Sequence, residues 1–175
     1  MTEQFQNLQV DIASLPKIEA IEFTPIDQKY LKVSLISSIF FFLVLGIAGT
    51  LIMYFNSEEI NQNVYLLAGG VYVIVLILNI TMLKLGFKKK KYSLREKDIV
   101  YTKGLIWSVR TSIPFNRIQH AEIKQGPIER KFNLSSLKVF TAGGQSSDLV
   151  IPGLPSEKAL QLKAFVLGKT AEDGE

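Results

Sequence analysis

His120 is the only histidine in the chain, and its one useful close neighbour is Glu122. Two residues apart on an extended strand they share a face, so a His and Glu pair could in geometry move a proton. No nucleophile stands near them in sequence, and His120 reads first as a polar surface or turn-stabilising residue. The chain has no cysteine, hence no disulfide, thiolate nucleophile or thiolate metal site. No clustered Asp, Glu and His pattern supplies a transition-metal set either. The run Gly143 Gly144 Gln145 Ser146 Ser147 is not followed by the Gly-Lys-Ser/Thr of a phosphate-binding loop, so a flexible hairpin loop is expected there. These residues give no catalytic, cofactor or metal site, and a non-enzymatic protein is expected.

The basic residues are more informative. Lys84, Lys88, Lys89, Lys90 and Lys91 form a dense group. They can hold a membrane span in place, and near a bilayer each attracts anionic lipid by about 1 kcal/mol, which makes them candidate membrane-surface contacts. Arg110, Arg117, His120, Lys124, Arg130 and Lys131 form a second group around the segments IPFNRIQH and QGPIERKF, a candidate basic face for an acidic protein partner. Nucleic acid is not expected, because the lysines adjoin an apolar stretch and the aromatics form no stacking platform.

The elements that position these groups follow from hydropathy and charge. Residues 33–55 are 23 positions without a charge, and 14 of them are Val, Leu, Ile or Phe. As a helix they span about 34 Å, more than a hydrocarbon core of about 30 Å, and they are expected to be a transmembrane helix. Residues 64–83 give a second uncharged span of 20. Some 30 polar or mixed residues precede the first span, so it is not read as a cleaved signal peptide. The connection 56–63 carries Glu58 and Glu59 and no Lys or Arg, whereas Lys29 and Lys32 precede the first span and five lysines follow the second. By the positive-inside rule residues 1–32 and everything after the second span are cytoplasmic, with 56–63 outside. Counting inward places Gly46 and Gly70 each 13 residues deep, facing one another, and brings Asn79 level with Ser37 and Ser38 for an interhelical hydrogen bond.

Residues 84–175 carry 17 basic and 9 acidic side chains, a net +8, while residues 1–32 and 33–83 each sum to −2. In this basic part the apolar period becomes two. Strands are expected at Lys91–Arg95 and Ile99–Lys103 around a tight turn, Glu96 to Asp98, then at Leu105–Ile113, Arg117–Lys124, Leu137–Thr141 and Leu149–Ile151. Trp107, the only tryptophan, falls in the most apolar of these and is expected in the core; its alternative is an interface anchor. Ser156 is expected to cap a helix with Ala159, Leu162 and Val166 on one face, Leu160 and Phe165 beside it, and Gly168 ending it. Upstream, Ile18 to Phe23 alternate as a half-buried strand would, with a flexible tail as the alternative.

The fragments Ile113 Pro114, Arg117 Ile118 Gln119 His120, Gln125 Gly126 Pro127, Thr141 Ala142 Gly143 Gly144 and Ile151 Pro152 Gly153 Leu154, in this order, resemble the bacterial PH-domain membrane proteins of the YdbS-like group. Asn133 stands before Leu134 where Gly is expected, and Asn also tolerates a left-handed backbone. The resemblance implies an α+β membrane protein: a two-helix transmembrane hairpin, then a PH-like split β-barrel of seven strands over residues 88–169, capped by a C-terminal α-helix, with a short tail at 170–175. Such barrels bind lipid headgroups, peptides or proteins, so the fold alone selects no ligand. The expected role is a scaffold that recruits another membrane or cytoplasmic protein at the inner membrane, a related PH-domain membrane protein among the candidates. The alternative is recognition of anionic lipid. Arg95 Glu96 Lys97 Asp98 is too short and charge-balanced a turn to grip a headgroup.

Overall fold

The computed structural model describes residues 21–56, 61–142 and 148–172. Ile18 to Ala20, Glu58, Glu59, the loop 143–147 and the last three tail residues lie outside the described residues. Two long helices, α1 (Lys29–Phe55) and α2 (Gln62–Phe87), form the hairpin. Each outruns its uncharged stretch, so Lys29, Lys32 and Lys84 ride on the helices themselves. Their apolar side chains are uncovered by protein, as at Phe40 and Leu66, 66% and 70% exposed, which is the arrangement of a surface that meets lipid.

Three contacts set the antiparallel register of the pair. Ser38 donates to Asn79 Oδ1 at 2.5 Å, as the depth count anticipates. Tyr72 donates to the Phe42 carbonyl at 2.6 Å, and Tyr65 to the Met53 carbonyl at 3.1 Å. The expected pairing of Gly46 with Gly70 is not found. A Cβ at Gly46 would lie 3.0 Å from the Tyr72 hydroxyl, whereas Gly70 faces open space. The small residue of one helix makes room for a tyrosine of the other.

Among the described residues the barrel has seven strands in two antiparallel sheets. The first holds β1 (Thr24–Pro25), β2 (Lys91–Leu94), β3 (Asp98–Lys103) and β4 (Val109–Pro114) in that order; the second holds β5 (Ile118–Lys124), β6 (Leu134–Thr141) and β7 (Leu149–Pro155). A 3-10 turn, Phe115–Arg117, joins the sheets, and a short helix α3 (Pro127–Lys131) links β5 to β6. The closing helix is α4 (Ser156–Glu172). Phe115, Ile99, Leu137, Val139 and Ile151 are fully buried in one core with Ala159 and Val166 of α4, so the expected helix face does point inward.

Several boundaries differ from the sequence reading. Of the strand expected at Ile18 to Phe23, the described residues 21–23 are irregular, and pairing occurs instead at Thr24↔Tyr92 and Pro25↔Lys91. Pro25 has no N–H to donate and fits this edge position. The barrel therefore begins before the hairpin, and Ile26, 3% exposed, belongs to its core. The expected strand from Leu105 starts only at Val109, because the Lys103↔Val109 pair closes the ladder and leaves 104–108 as a loop. Trp107 is 82% exposed there, not in the core. Gly168 does not stop α4, and residues 170–172 are helical; Thr170 donates to the Val166 carbonyl at 2.8 Å and the Phe115 carbonyl at 3.3 Å, tying the last turn to the barrel. Asn133 has φ 57°, the left-handed conformation anticipated for it.

Candidate functional site

The hairpin is fixed to the barrel at one joint. Asp27 accepts from the Lys29 N–H at 2.7 Å where α1 starts, and its own N–H donates to the Gly153 carbonyl at 2.9 Å. Gly153 has φ 66°, and a Cβ there would stand 2.6 Å from Tyr30. The bare backbone of β7 thus lets the first turn of α1 lie directly against it.

Strand directions then decide what faces the span ends. β2 leaves the end of α2 and β3 returns, so Lys91↔Thr102 brings the close of β3 back beside α2. Thr102 donates to the Lys89 carbonyl at 3.2 Å. A groove of about 410 Å³ opens there, lined by Leu85, Lys88, Lys89 and Lys91 from the exit of α2, Thr102, Leu105 and Arg110 from the β3–β4 hairpin, and Phe23. Arg110 lies over the Phe23 ring, 5.5 Å from its centroid. Among the described residues four cations and no carboxylate line this groove, an arrangement suited to phosphate or another polyanion.

Lys84 lies next door, in a cleft of about 950 Å³ between the ends of α1 and α2 that also takes Lys29, Lys32 and Lys88. Leu85 and Lys88 line both cavities and join them. Lys90 faces elsewhere: its ammonium sits 5.0 Å from the Tyr30 ring centroid, and burial, with Lys103 nearby, pushes its pKa below the usual lysine value. Of the five lysines read as membrane-surface contacts, Lys90 packs against the joint instead.

The second predicted group divides. Arg110 belongs to the groove. Arg117 sits on the 3-10 turn, His120 and Lys124 on β5, and Arg130 and Lys131 in the last turn of α3, all exposed. His120 stacks on Phe140 at 4.2 Å, and its Nε2 is 4.0 Å from Glu122 Oε1 with both side chains more than half exposed. The pairing is as strand geometry anticipates, yet among the described residues no polar group beyond Glu122 meets the imidazole. Among the described residues no cluster of His, Asp and Glu could hold a metal.

The turn 95–98 lies at the end of the sheet away from α2. Asp98 accepts from the Arg95 guanidinium and from Ser112 Oγ, the latter at 2.5 Å. The Arg95 hydrogen bond foremost, with Ser112 adding to it, holds the Asp98 carboxyl below its ordinary value. Arg95 is thus occupied by its own turn. The Gln125 Gly126 Pro127 fragment is likewise structural: Gln125 donates to the Leu134 carbonyl and to Ser156, at 2.9 and 3.0 Å, and Gly126 N–H donates to Glu129 at 2.7 Å. Phe23, Thr102 and Leu105 were missed as groove residues. Thr102 and Arg110 face each other across the ladder, a pairing that hairpin register alone could have indicated.

Comparison with known proteins places this geometry. A bacterial PH domain family model matches residues 13–170. The UPF0699 transmembrane protein YdbS of Bacillus subtilis (strain 168) is 30% identical over 108 residues, 60% of this chain; the chain spans 66% of that relative's length. Among solved structures, a crystal structure of a DUF1696 family protein with a pleckstrin-homology domain from Shewanella loihica PV-4 aligns at 14% identity and a TM-score of 0.37, over 46% of this chain and 70% of that one. The family match runs from before β1 through both helices and into α4, so the transmembrane hairpin and PH-like barrel are one family unit, and the chain belongs to the bacterial PH domain family.

Proposed function

We propose that the protein is a non-enzymatic, membrane-anchored PH-like module whose hairpin holds the barrel against the cytoplasmic leaflet of the inner membrane, where the groove at the end of α2 takes anionic lipid headgroups. The observation that carries this is the convergence of Lys88, Lys89, Lys91 and Arg110 on one cavity with no carboxylate among the described residues that line it. Its place beside the last turn of α2 is the level at which headgroups lie. The reading favours lipid over a protein partner for this groove, and both termini on the cytoplasmic side. A reporter active only outside the cytoplasm should work when fused near Glu59 and be silent after Glu175; the opposite pattern would place the barrel outside.

The groove is tested on the full chain in bilayers by the preference of spin-labelled anionic over zwitterionic lipid. Lys91→Gln with Arg110→Gln leaves the topology-setting lysines at 84 and 88–90 in place. At about 1 kcal/mol per basic residue, each substitution should lower the preference roughly 5-fold and the pair roughly 30-fold. An unchanged preference would remove the groove from lipid recognition.

A second reading keeps a protein partner for a different face. His120 and Lys124 are exposed on β5 of the second sheet and Arg117 on the 3-10 turn just before it, and the His120–Phe140 stack offers a flat contact beside them. Crosslinking in membranes from positions 120 and 124, compared with positions 89 and 91, separates the faces. Adducts with one defined protein from 120 and 124 alone would support recruitment there, and their absence would leave the lipid reading by itself.

A further inference from the structure

The loop between β3 and β4 joins two features that β-hairpins rarely combine in water: a backbone constrained to one shape and a tip of large exposed apolar residues. Gly104 has φ 99°, and a Cβ on it would fall 1.9 Å from the Trp107 carbonyl oxygen. Only glycine fits. The tight bend leaves Ile106 73% and Trp107 82% exposed, with Val109 44% exposed at the start of β4. Water-facing tips of hairpins are ordinarily polar, so this one needs an apolar neighbour.

Strand direction says what that neighbour is. The loop follows directly on Thr102 and Lys103, which lie beside the exit of α2, and Leu105 lines the same groove as Leu85 and Lys88 of that exit. The loop thus stands at the level where the second span leaves the bilayer, and at the end of the sheet opposite the turn 95–98. Lys103 and Arg110 flank the tip on the two strands, paired with Val109 and Thr102 respectively. Cations flanking a tryptophan and an isoleucine are the pattern of a segment seated in the membrane interface, ring among the upper acyl chains and charges at the phosphates.

We infer that Ile106 and Trp107 form a membrane-inserted wedge, a third attachment of the chain to the bilayer that fixes the tilt of the barrel over the hairpin. The wedge is independent of headgroup charge, since its contact is apolar. Trp107 is the only tryptophan, so its fluorescence reports the site without background. The full chain is reconstituted in zwitterionic vesicles, with bromine placed at defined depths on the acyl chains and iodide added to the water. Expected is quenching by the shallow bromines, at roughly 5–10 Å below the headgroup boundary, with protection from iodide. Ile106→Asp should lose the bromine quenching and restore iodide access while the helical signal of the hairpin stays. Iodide quenching equal to that of the denatured chain would overturn the inference. So would protection from both quenchers, which would mean that protein, not lipid, covers the loop. Because no anionic lipid is present, failure here leaves the headgroup reading of the groove standing, and failure of the groove test leaves the wedge.

Discussion

Gly153→Ala is the sharpest perturbation of the joint that couples hairpin to barrel. The new Cβ would meet Tyr30 Cβ and Cγ at 2.6 Å, and Cβ belongs to the rigid first turn of α1 rather than to a flexible side-chain tip. Relief requires α1 or β7 to move, an overpacking cost of about 1–3 kcal/mol. The left-handed backbone at φ 66° adds about 1–2 kcal/mol for a residue with a side chain. Together these give about 2–5 kcal/mol against the roughly 5–15 kcal/mol that holds a domain together. The two costs separate in a cycle: Tyr30→Gly, which removes both the Cβ and the Cγ met by the new side chain, should recover the steric part in the Gly153→Ala background and leave the backbone part. Denaturant unfolding of the full chain in detergent gives the total, and amide exchange at Asp27, whose N–H bonds the Gly153 carbonyl, reports the joint itself. A midpoint shift equivalent to less than about 0.5 kcal/mol, with Asp27 still protected, would refute the close packing on which this reasoning depends.

Inside the hairpin, Ser38→Ala leaves Asn79 without its partner and should weaken the helix pair by about 0.6–2 kcal/mol, read from thermal unfolding in detergent. At the turn 95–98, Asp98 has its pKa lowered by folding, so its contribution is fully present above about pH 4 and is lost as pH falls through the depressed value. The stability gap between the parent and Asp98→Asn should therefore close in acid; a gap that persists below that range would show that packing, not charge, matters there. A fragment starting at Lys88 lacks β1 and Ile26, a loss of about 1.5–3 kcal/mol of apolar burial plus an uncovered edge on β2. It should self-associate in sedimentation, and a monomer with β2 protected as in the full chain would contradict this.

Much of the fold was legible because its signals are local. Twenty uncharged residues declare a span whatever surrounds them, and the alternation in Lys91–Lys103 declares a hairpin. Asn79 and Ser38 could be matched by counting because two antiparallel helices share one depth scale. Gly46 and Gly70 share a depth as well, but rotation about each axis decides facing, and Tyr72 claims the space beside Gly46. Two residues of β1 carry too little pattern to be found: what makes Thr24–Pro25 a strand is the waiting edge of β2, 66 residues further on at its nearest pairing, Pro25↔Lys91.

Trp107 shows where composition misleads. Leu105, Ile106, Trp107 and Val109 read as the most apolar strand of the domain because burial in protein and burial in lipid select the same side chains. The sequence did hold the distinguishing sign in Gly104, read as a bend or bulge. Once that bend is placed at the returning end of β3, the register Lys91↔Thr102 sets the apolar run beside the exit of α2 rather than inside the barrel. The same register separates Arg110 from Arg117, His120 and Lys124. Proximity in sequence had grouped them as one basic face, but β4 and β5 belong to different sheets, and only Arg110 looks back toward the lysines. In a protein whose barrel is interrupted in sequence by its own membrane hairpin, between β1 and β2, the end of the sheet that a residue occupies decides whether its charge lies beside the exit of α2.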